Sequence, residues 1–187
     1  AHLQETHQVV PDVAVVAEGI GAVSLRTPVR PDEIDQTTVR VIGQGGVAEL
    51  LARATLRPYF GIQATTWEVE GEAPEATAVV LEGVEALRPI EGGFAEDLCR
   101  AWFILTALPV VSHVLVVPAA ATRQEIQPIL DTLAVAARVG YERRREWRTP
   151  LIEREGLDRD RTHAVLSGQR YELTDRDRQA IVNLAQR

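Results

Sequence analysis

The sequence predicts an α/β protein with a mixed sheet, flanking helices and a helical C-terminal part. Short apolar segments rich in β-branched residues alternate with segments of helical periodicity through the first two thirds of the chain. Helical periodicity dominates the last third, and glycine and proline separate the segments. The chain has 187 residues with 45% hydrophobic content, which is enough to bury a sizeable core.

The first elements along the chain are predicted strands. Residues 13–16 and 21–25 are apolar and indicate two strands around a turn at Gly19. Residues 37–42 indicate a third strand, which leads into the glycine-rich residues 43–46. A helix follows, and its predicted apolar face consists of Val47, Leu50, Leu51 and Ala54.

The middle of the chain predicts a second alternation of strands and helices. Residues 62–69 indicate a strand, and residues 78–81 indicate a short apolar strand of the kind buried on both faces of a parallel sheet. Apolar residues recur at helical spacing over residues 94–105 and predict a helix there. Pro109 then precedes a predicted strand over residues 110–117.

The C-terminal part is predicted to be helical. Thr122 with Glu125 has the spacing of a capping box and starts one helix, and Thr174 with Asp177 starts the last one. The arginine-rich segment between them is predicted to be helical but broken at Pro150.

Composition excludes several classes of function. The net charge is −7, which disfavours a nucleic-acid partner because phosphate binding requires clustered cations. All 20 basic residues are arginine, so lysine chemistry is absent while carboxylate-binding side chains remain abundant. Base composition or thermal adaptation explains the same bias without any site. We expect no membrane span, because no apolar stretch approaches the roughly 20 residues required.

Metal, hydrolase and disulfide chemistry are also disfavoured. The four histidines lack the short spacings of metal ligands, and we predict no metal and no cofactor. Ser112 and His113 are adjacent on a predicted strand, so we expect their side chains to point to opposite faces. Cys99 is the only cysteine, and no secretory signal is seen in the sequence. We therefore expect a cytoplasmic protein, with a second copy of the chain as a candidate partner.

The strongest candidate site is a glycine turn between a strand and a helix. Backbone N–H groups and the helix dipole at such a turn can hold a carboxylate or phosphate, although a tight turn that needs positive φ explains the glycines equally well. Two further candidates, Glu82 and Ser24, lie on or directly after predicted strands. Glu82 could bind a hydroxyl group of a ligand, or it could be a solvated loop acid. The turn consists of Gly43, Gln44, Gly45 and Gly46.

Four stretches together resemble the chorismate dehydratase family of the futalosine route to menaquinone. Residues 10–25 are similar to the family passage "LPD, then G-x-V-G-S-V", and residues 37–46 stand where the family has a strand with a Ser/Thr-rich turn. Residues 78–87 are similar to an apolar strand ending in "IGD-x-AL". The family pattern "DL…W…TGLP" is matched most specifically, by Asp97, Leu98, Trp102, Thr106, Leu108 and Pro109.

The resemblance implies a periplasmic-binding-protein-like (type II) fold of two lobes. Residues 1–20 and 112–187 would belong to the first lobe with the C-terminal helices, and residues 21–111 to the second. The first lobe is expected to be incomplete, since the family's opening third with its "YLN" segment has no counterpart. The implied activity is that of a carbon–oxygen lyase, which removes water from chorismate held by its carboxylates.

Three departures from the family pattern bear on this activity. The Ser/Thr-rich turn is replaced by residues 43–46, the Ser of "G-S-V" is Ala22, and the Asp of "IGD" is Val84. Backbone donors are kept, but side-chain polar groups are lost. The alternative interpretation is a non-catalytic small-carboxylate-binding domain of the same fold, and no acid or base is identified from the sequence.

Overall fold

The computed structural model describes residues 6–43, 46–68 and 78–186, and in these residues eight strands form two sheets. The strands are β1 (His7–Ala17), β2 (Val23–Thr27), β3 (Gln36–Ile42), β4 (Gln63–Glu68), β5 (Ala78–Glu82), β6 (Phe94–Asp97), β7 (Val110–Pro118) and β8 (Gln169–Arg170). The helices are α1 (Val47–Thr55), α2 (Val84–Leu87), α3 (Leu98–Thr106), α4 (Arg123–Glu142), α5 (Arg144–Glu155), α6 (Arg159–Gly168) and α7 (Asp175–Ala185). A π-helical turn (Leu56–Phe60) extends α1.

The two sheets differ in strand direction. The order of the three-stranded sheet is β7–β1–β8, with antiparallel neighbours, and the order of the five-stranded sheet is β4–β3–β5–β2–β6. In the larger sheet β3 runs parallel to β4 and β5, whereas β2 runs antiparallel to β5 and β6. The predicted α/β class with a mixed sheet is confirmed, while the division into lobes at residues 20 and 111 stays a prediction.

The main core lies between one face of the five-stranded sheet and helices α1 and α3. Leu25, Val39 and Val80 from the strands pack in one cluster with Leu51 and Trp102 from the helices. Burial of such side chains is the main favourable contribution to folding. The predicted apolar face of α1 is wrong in one residue, because Leu50 is 37% exposed while Leu51 is fully buried.

The helix that was predicted over residues 94–105 begins at Leu98 in the structure, four residues after the predicted start. Residues 94–97 form β6 instead, because they pair antiparallel with β2. Helix α3 begins at Leu98, where the side chain of Asp97 accepts hydrogen bonds from the backbone N–H groups of Cys99 and Arg100. An N-cap aspartate fixes a helix start in this way.

The segment from Trp102 to Pro109 closes the end of α3. Trp102 is 1% exposed, and its indole N–H donates to the Pro109 carbonyl at 3.2 Å. Thr106 Oγ1 donates to the Trp102 carbonyl at 2.7 Å and accepts from the Leu108 N–H at 3.1 Å. Between them Ala107 has a φ of 55°, the left-handed conformation that favours glycine. Each polar residue of the matched motif therefore has a local structural role.

Two expectations for the second half of the chain are corrected, and one strand was not predicted. The two capping boxes are confirmed. Pro150, however, lies inside α5, where the buried Ile152 beyond it keeps the helix packed. Strand β8 was not predicted. Ser112 and His113 do meet, with Ser112 Oγ 3.0 Å from His113 Nδ1, because a register shift opposite Val15 and Val16 leaves Ser112 as the extra residue of a bulge.

A network of charged side chains joins the C-terminal helix to the end of β1. Arg170 forms a paired hydrogen bond with the fully buried carboxylate of Asp177, whose second oxygen also accepts from Thr174. Burial opposes ionisation of Asp177, but the hydrogen bonds from Arg170 and Thr174 outweigh it and lower the pKa of the carboxyl. Glu18 accepts from Arg176 at 2.7 Å.

None of the helices within the described residues combines the length and apolar character that crossing a membrane requires.

Replacing Ala107 by glycine tests the strain at the end of α3. We expect Ala107→Gly to raise the free energy of unfolding by about 0.5 kcal/mol, because relief of the left-handed strain exceeds the extra unfolded-state entropy of glycine. Ala136→Gly, in the exposed middle of α4, is the matched control and should lower it by about 1 kcal/mol. Urea denaturation measures both, and the same sign for both variants would contradict the strain.

Removing the cation that faces Asp177 tests the C-terminal network. Arg170→Met leaves a buried carboxylate without its main partner, and we expect the free energy of unfolding to fall by about 3 kcal/mol at neutral pH. Arg178→Met removes an exposed cation from the same helix region and should change it by less than about 0.5 kcal/mol. Equal losses in the two variants would show that the buried pair contributes nothing specific.

Candidate functional site

One edge of the five-stranded sheet collects the ends of four strands. The parallel strands β3 and β5 both end there, the antiparallel β2 begins there, and β6 ends there before α3. Ligands of open α/β sheets bind outside the carboxyl ends of parallel strands. The residues brought to this edge, which we call the strand-tip site, are Gly21, Gly43, Gly46, Glu82 and Asp97.

Glu82 packs directly against Gly43 in the strand-tip site. A Cβ atom placed on Gly43 would lie 2.5 Å from Glu82 Oε2 and 3.0 Å from Glu82 Cβ, so no larger residue fits without moving the glutamate. Glu82 Oε2 is buried, and it has no hydrogen-bond partner among the described residues. A buried carboxylate oxygen without a donor is costly, and a ligand that supplies a hydrogen bond would remove this cost.

The start of α1 lies beside this carboxylate. Gly46 precedes the helix with a φ of 71°, a conformation that requires glycine, and no side chain caps the helix there. The first-turn N–H groups of α1 therefore keep their capacity to bind an anion. Gln44 and Gly45, the other two residues of the predicted turn, lie outside the described residues.

Asp97 holds the opposite side of the strand-tip site together. Its Oδ2 accepts from the Gly21 N–H at 3.0 Å, and its Oδ1 accepts from the N–H groups of Cys99 and Arg100 at 2.8 and 3.1 Å. Burial raises the pKa of the Asp97 carboxyl, although these hydrogen bonds and the charge of Arg161 act in the opposite direction. The sequence suggested Asp97 as part of a motif but not as a residue of the site.

Cys99 packs against Gly21 at the start of α3. Its Sγ lies so close to Gly21 that no Cβ could be accommodated at that position. Burial raises the pKa of the Cys99 thiol well above its usual value, and the negative charges of Asp97 and Glu82 raise it further. The thiol is therefore protonated and acts as a small apolar wall of the site.

Ser24 lies away from the glycine turn. Strand β2 places Val23 opposite Glu82 and Ser24 opposite Leu81 and Asp97, so Ser24 projects from the face of the sheet opposite to that of Glu82. It is fully buried, and its hydroxyl has no hydrogen-bond partner in the part of the chain that the structure describes. The structure thus brings Gly43, Gly46 and Glu82 together and separates Ser24 from them.

The two positions where the family pattern has polar side chains carry no polar group here. Ala22 packs against the apolar cluster of Leu87, Ile152 and Val165. Val84 is 42% exposed at the start of α2. Within residues 6–43, 46–68 and 78–186, no group of three or more His, Cys, Asp and Glu side chains has an arrangement that could hold a metal ion.

Comparison with known proteins agrees with this architecture. A family model described as menaquinone biosynthesis matches residues 1–187. The crystal structure of protein AF1704 from Archaeoglobus fulgidus is similar at a TM-score of 0.51 and 17% sequence identity, over 94% of this chain and 67% of the archaeal chain. At that identity the likeness shows the fold alone. No curated protein sequence matches the chain.

Changing Asp97 to asparagine tests its buried ionisation. Because the folded-state pKa of Asp97 is raised, the native protein binds its proton more tightly than the unfolded chain does. This contribution to stability is complete below the unfolded-state pKa of about 3.9. It is lost as the pH rises through the folded-state pKa. Asp97→Asn should lower the free energy of unfolding by about 1–2 kcal/mol, because the NH₂ group of the new side chain would face a backbone N–H donor.

The pH dependence separates the two effects in Asp97→Asn. The variant should be less stable than the parent protein, and this difference in the free energy of unfolding should shrink as the pH rises from about 4 to about 7. The parent protein alone is destabilised over this range, because it ionises a buried carboxyl group. Urea denaturation at both pH values measures it, with Asp175→Asn at an exposed position as the control. A deficit that grows with pH would contradict the raised pKa.

Proposed function

Because the chain belongs to the menaquinone biosynthesis family, we propose that it removes water from chorismate in the cytoplasm and thereby forms 3-(1-carboxyvinyloxy)benzoate. Resemblance of the sequence motifs supports the substrate. The observation that carries the proposal is the unpartnered Glu82 carboxylate, which lies against Gly43 at the uncapped start of α1. An anion-binding helix start and a titratable group therefore lie side by side.

The start of α1 would hold one carboxylate of the substrate. Its first-turn N–H groups point out of the helix, and the helix dipole adds a partial positive charge there. Backbone donors of this kind replace the hydroxyls of the family's Ser/Thr-rich turn. The apolar thiol of Cys99 and the buried strand ends keep water away from one side, which strengthens each electrostatic interaction.

Glu82 would exchange the proton that the reaction needs. A protonated Glu82 can donate to the departing hydroxyl group and so release it as water. The Glu82 carboxylate left behind would then accept the proton of the adjacent ring carbon, while the electron pair of that C–H bond forms the new double bond.

The second candidate function is carboxylate binding without catalysis. Ala22 within an apolar cluster and the exposed Val84 favour it, because they replace polar groups of the family pattern. A binding domain needs only the donors of α1 and a partner for its ligand's hydroxyl.

A single comparison of variants tests both functions. We expect purified protein to convert chorismate to the dehydrated product, detected by mass spectrometry, and Glu82→Gln to slow the conversion by about a hundredfold or more. Glu85→Gln, three residues along the chain and exposed, is the matched control and should leave the rate unchanged.

Thermal unfolding with chorismate separates the remaining outcomes. Stabilisation without product formation would favour the binding domain. If the folded protein forms no product and chorismate does not raise its melting temperature, both proposed functions are wrong.

A further inference from the structure

We propose a second anion-binding site, which is formed by Arg26 and Arg161 together with the hydroxyls of Ser24 and Thr162, on the face of the five-stranded sheet opposite to α1 and α3. We call it the arginine site. Its occupant is an oxyanion, the carboxylate of an organic acid or a phosphate. It is separate from the strand-tip site and does not depend on the proposed dehydratase activity.

The fold brings these four residues to one face. Ser24 and Arg26 alternate with the core residues Val23 and Leu25 along β2, so both project from the opposite face of the sheet. On α6, Val165 packs in a cluster with Ile20, Ala22 and Leu87, which lie at this same face. Arg161 and Thr162 precede Val165 by four and three residues, and therefore lie on the same side of α6.

All four side chains have polar atoms that are buried but unused. These atoms have no hydrogen-bond partner among the described residues, although Ser24 and Thr162 are 0% and 1% exposed. Such buried groups are nearly always satisfied, by protein, water or ligand. Every one of them can donate a hydrogen bond, and only the hydroxyls can also accept. The atoms are Ser24 Oγ, Arg26 Nε, Arg161 Nε, Arg161 Nη2 and Thr162 Oγ1.

Carboxylates lie near both arginines, but no carboxylate oxygen of the described residues forms a hydrogen bond with either guanidinium group. Arg26 Nη2 donates to the backbone carbonyls of Glu85 and Arg88 at 3.0 and 2.6 Å, which carry no full charge. Burial lowers the pKa of Arg26 and the positive charge of Arg161 lowers it further, while the negative charge of Glu85 acts in the opposite direction. The nearby Asp97 uses its two oxygens on backbone N–H groups. An oxyanion between the two guanidinium groups would satisfy donors and charge together.

A groove gives access to this region from solvent. Arg26 lines it together with Val79, Pro28 and Gly92, and its volume is about 500 Å³. This is within the range of small-molecule sites. Of the four residues of the arginine site, Arg26 lines the groove, and the acidic Glu91 lines it as well. The guanidinium group of Arg26 favours a carboxylate or a phosphate over a neutral molecule.

Thermal unfolding in the presence of defined anions tests the site. We expect sodium phosphate or sodium benzoate to raise the melting temperature of the protein with a saturable concentration dependence, above the effect of sodium chloride at equal ionic strength. A response to phosphate alone or to benzoate alone supports the site and identifies its ligand class. No saturable response to either anion would overturn the proposal.

Variants assign the response to the named residues. Arg161→Leu should abolish it, because the variant lacks the guanidinium group whose Nε and Nη2 are buried without a partner among the described residues. Arg159→Leu, an exposed position of the same helix, should retain the full response. Ser24→Ala removes an unused buried hydroxyl, so it should fold normally and weaken the anion midpoint by roughly tenfold. Wild-type responses in both Arg161→Leu and Ser24→Ala would overturn the assignment.

The strand-tip site provides the control that separates the two proposals. Glu82→Gln should keep the response to phosphate or benzoate, whereas Arg161→Leu should lose it. Failure of the chorismate reaction would therefore leave the arginine site standing. If Glu82→Gln abolishes the response and Arg161→Leu does not, the anion binds at the strand tips and the arginine site is excluded.

Discussion

The three hydrogen bonds accepted by Asp97 are the constraint on which the site geometry depends. One oxygen binds the N–H of Gly21, just before β2 begins, and the other binds the first N–H groups of α3. The chain passes from the three-stranded to the five-stranded sheet just before this point. The carboxylate therefore fixes where the second sheet begins relative to the helix that covers it.

Two glycines at the strand tips have no room for a side chain, and the hydrogen bonds of Asp97 explain this for Gly21. The short distance between Gly21 and α3 presses Cys99 Sγ against the glycine, and Glu82 is pressed in the same way against Gly43. Gly46 differs, since its φ of 71° and not its surroundings requires glycine. Close approach of a neighbour and a positive φ are separate reasons for a glycine. Gly43 is an example of the first, and Gly46 is an example of the second.

Local signals predicted the capping boxes and a short strand over residues 78–81, which extends to Glu82 in the structure, because such features depend on neighbours in the chain. Phe94 looked helical because its spacing to Leu98 is helical, but pairing with β2 decided its structure. The sequence indicated separately that Gly43 and Glu82 follow or end strands, and the structure places them in contact. The face from which Ser24 projects depended on strand register, which the sequence did not give. Arg161 gave no local signal, since α6 reaches Ser24 and Arg26 only through the packing of Val165.

The two faces of the sheet are linked by charge. Burial raises the pKa values of Asp97 and Cys99, and the positive charge of Arg161 opposes both rises. An oxyanion bound at the arginine site would cancel part of this effect, so a proton on Asp97 and an anion beside Arg161 favour each other. Linkage makes the coupling reciprocal, since each event must change the affinity for the other by the same factor. Because Asp97 also positions Gly21 and α3, the state of one face of the sheet can alter the geometry of the strand-tip site on the other.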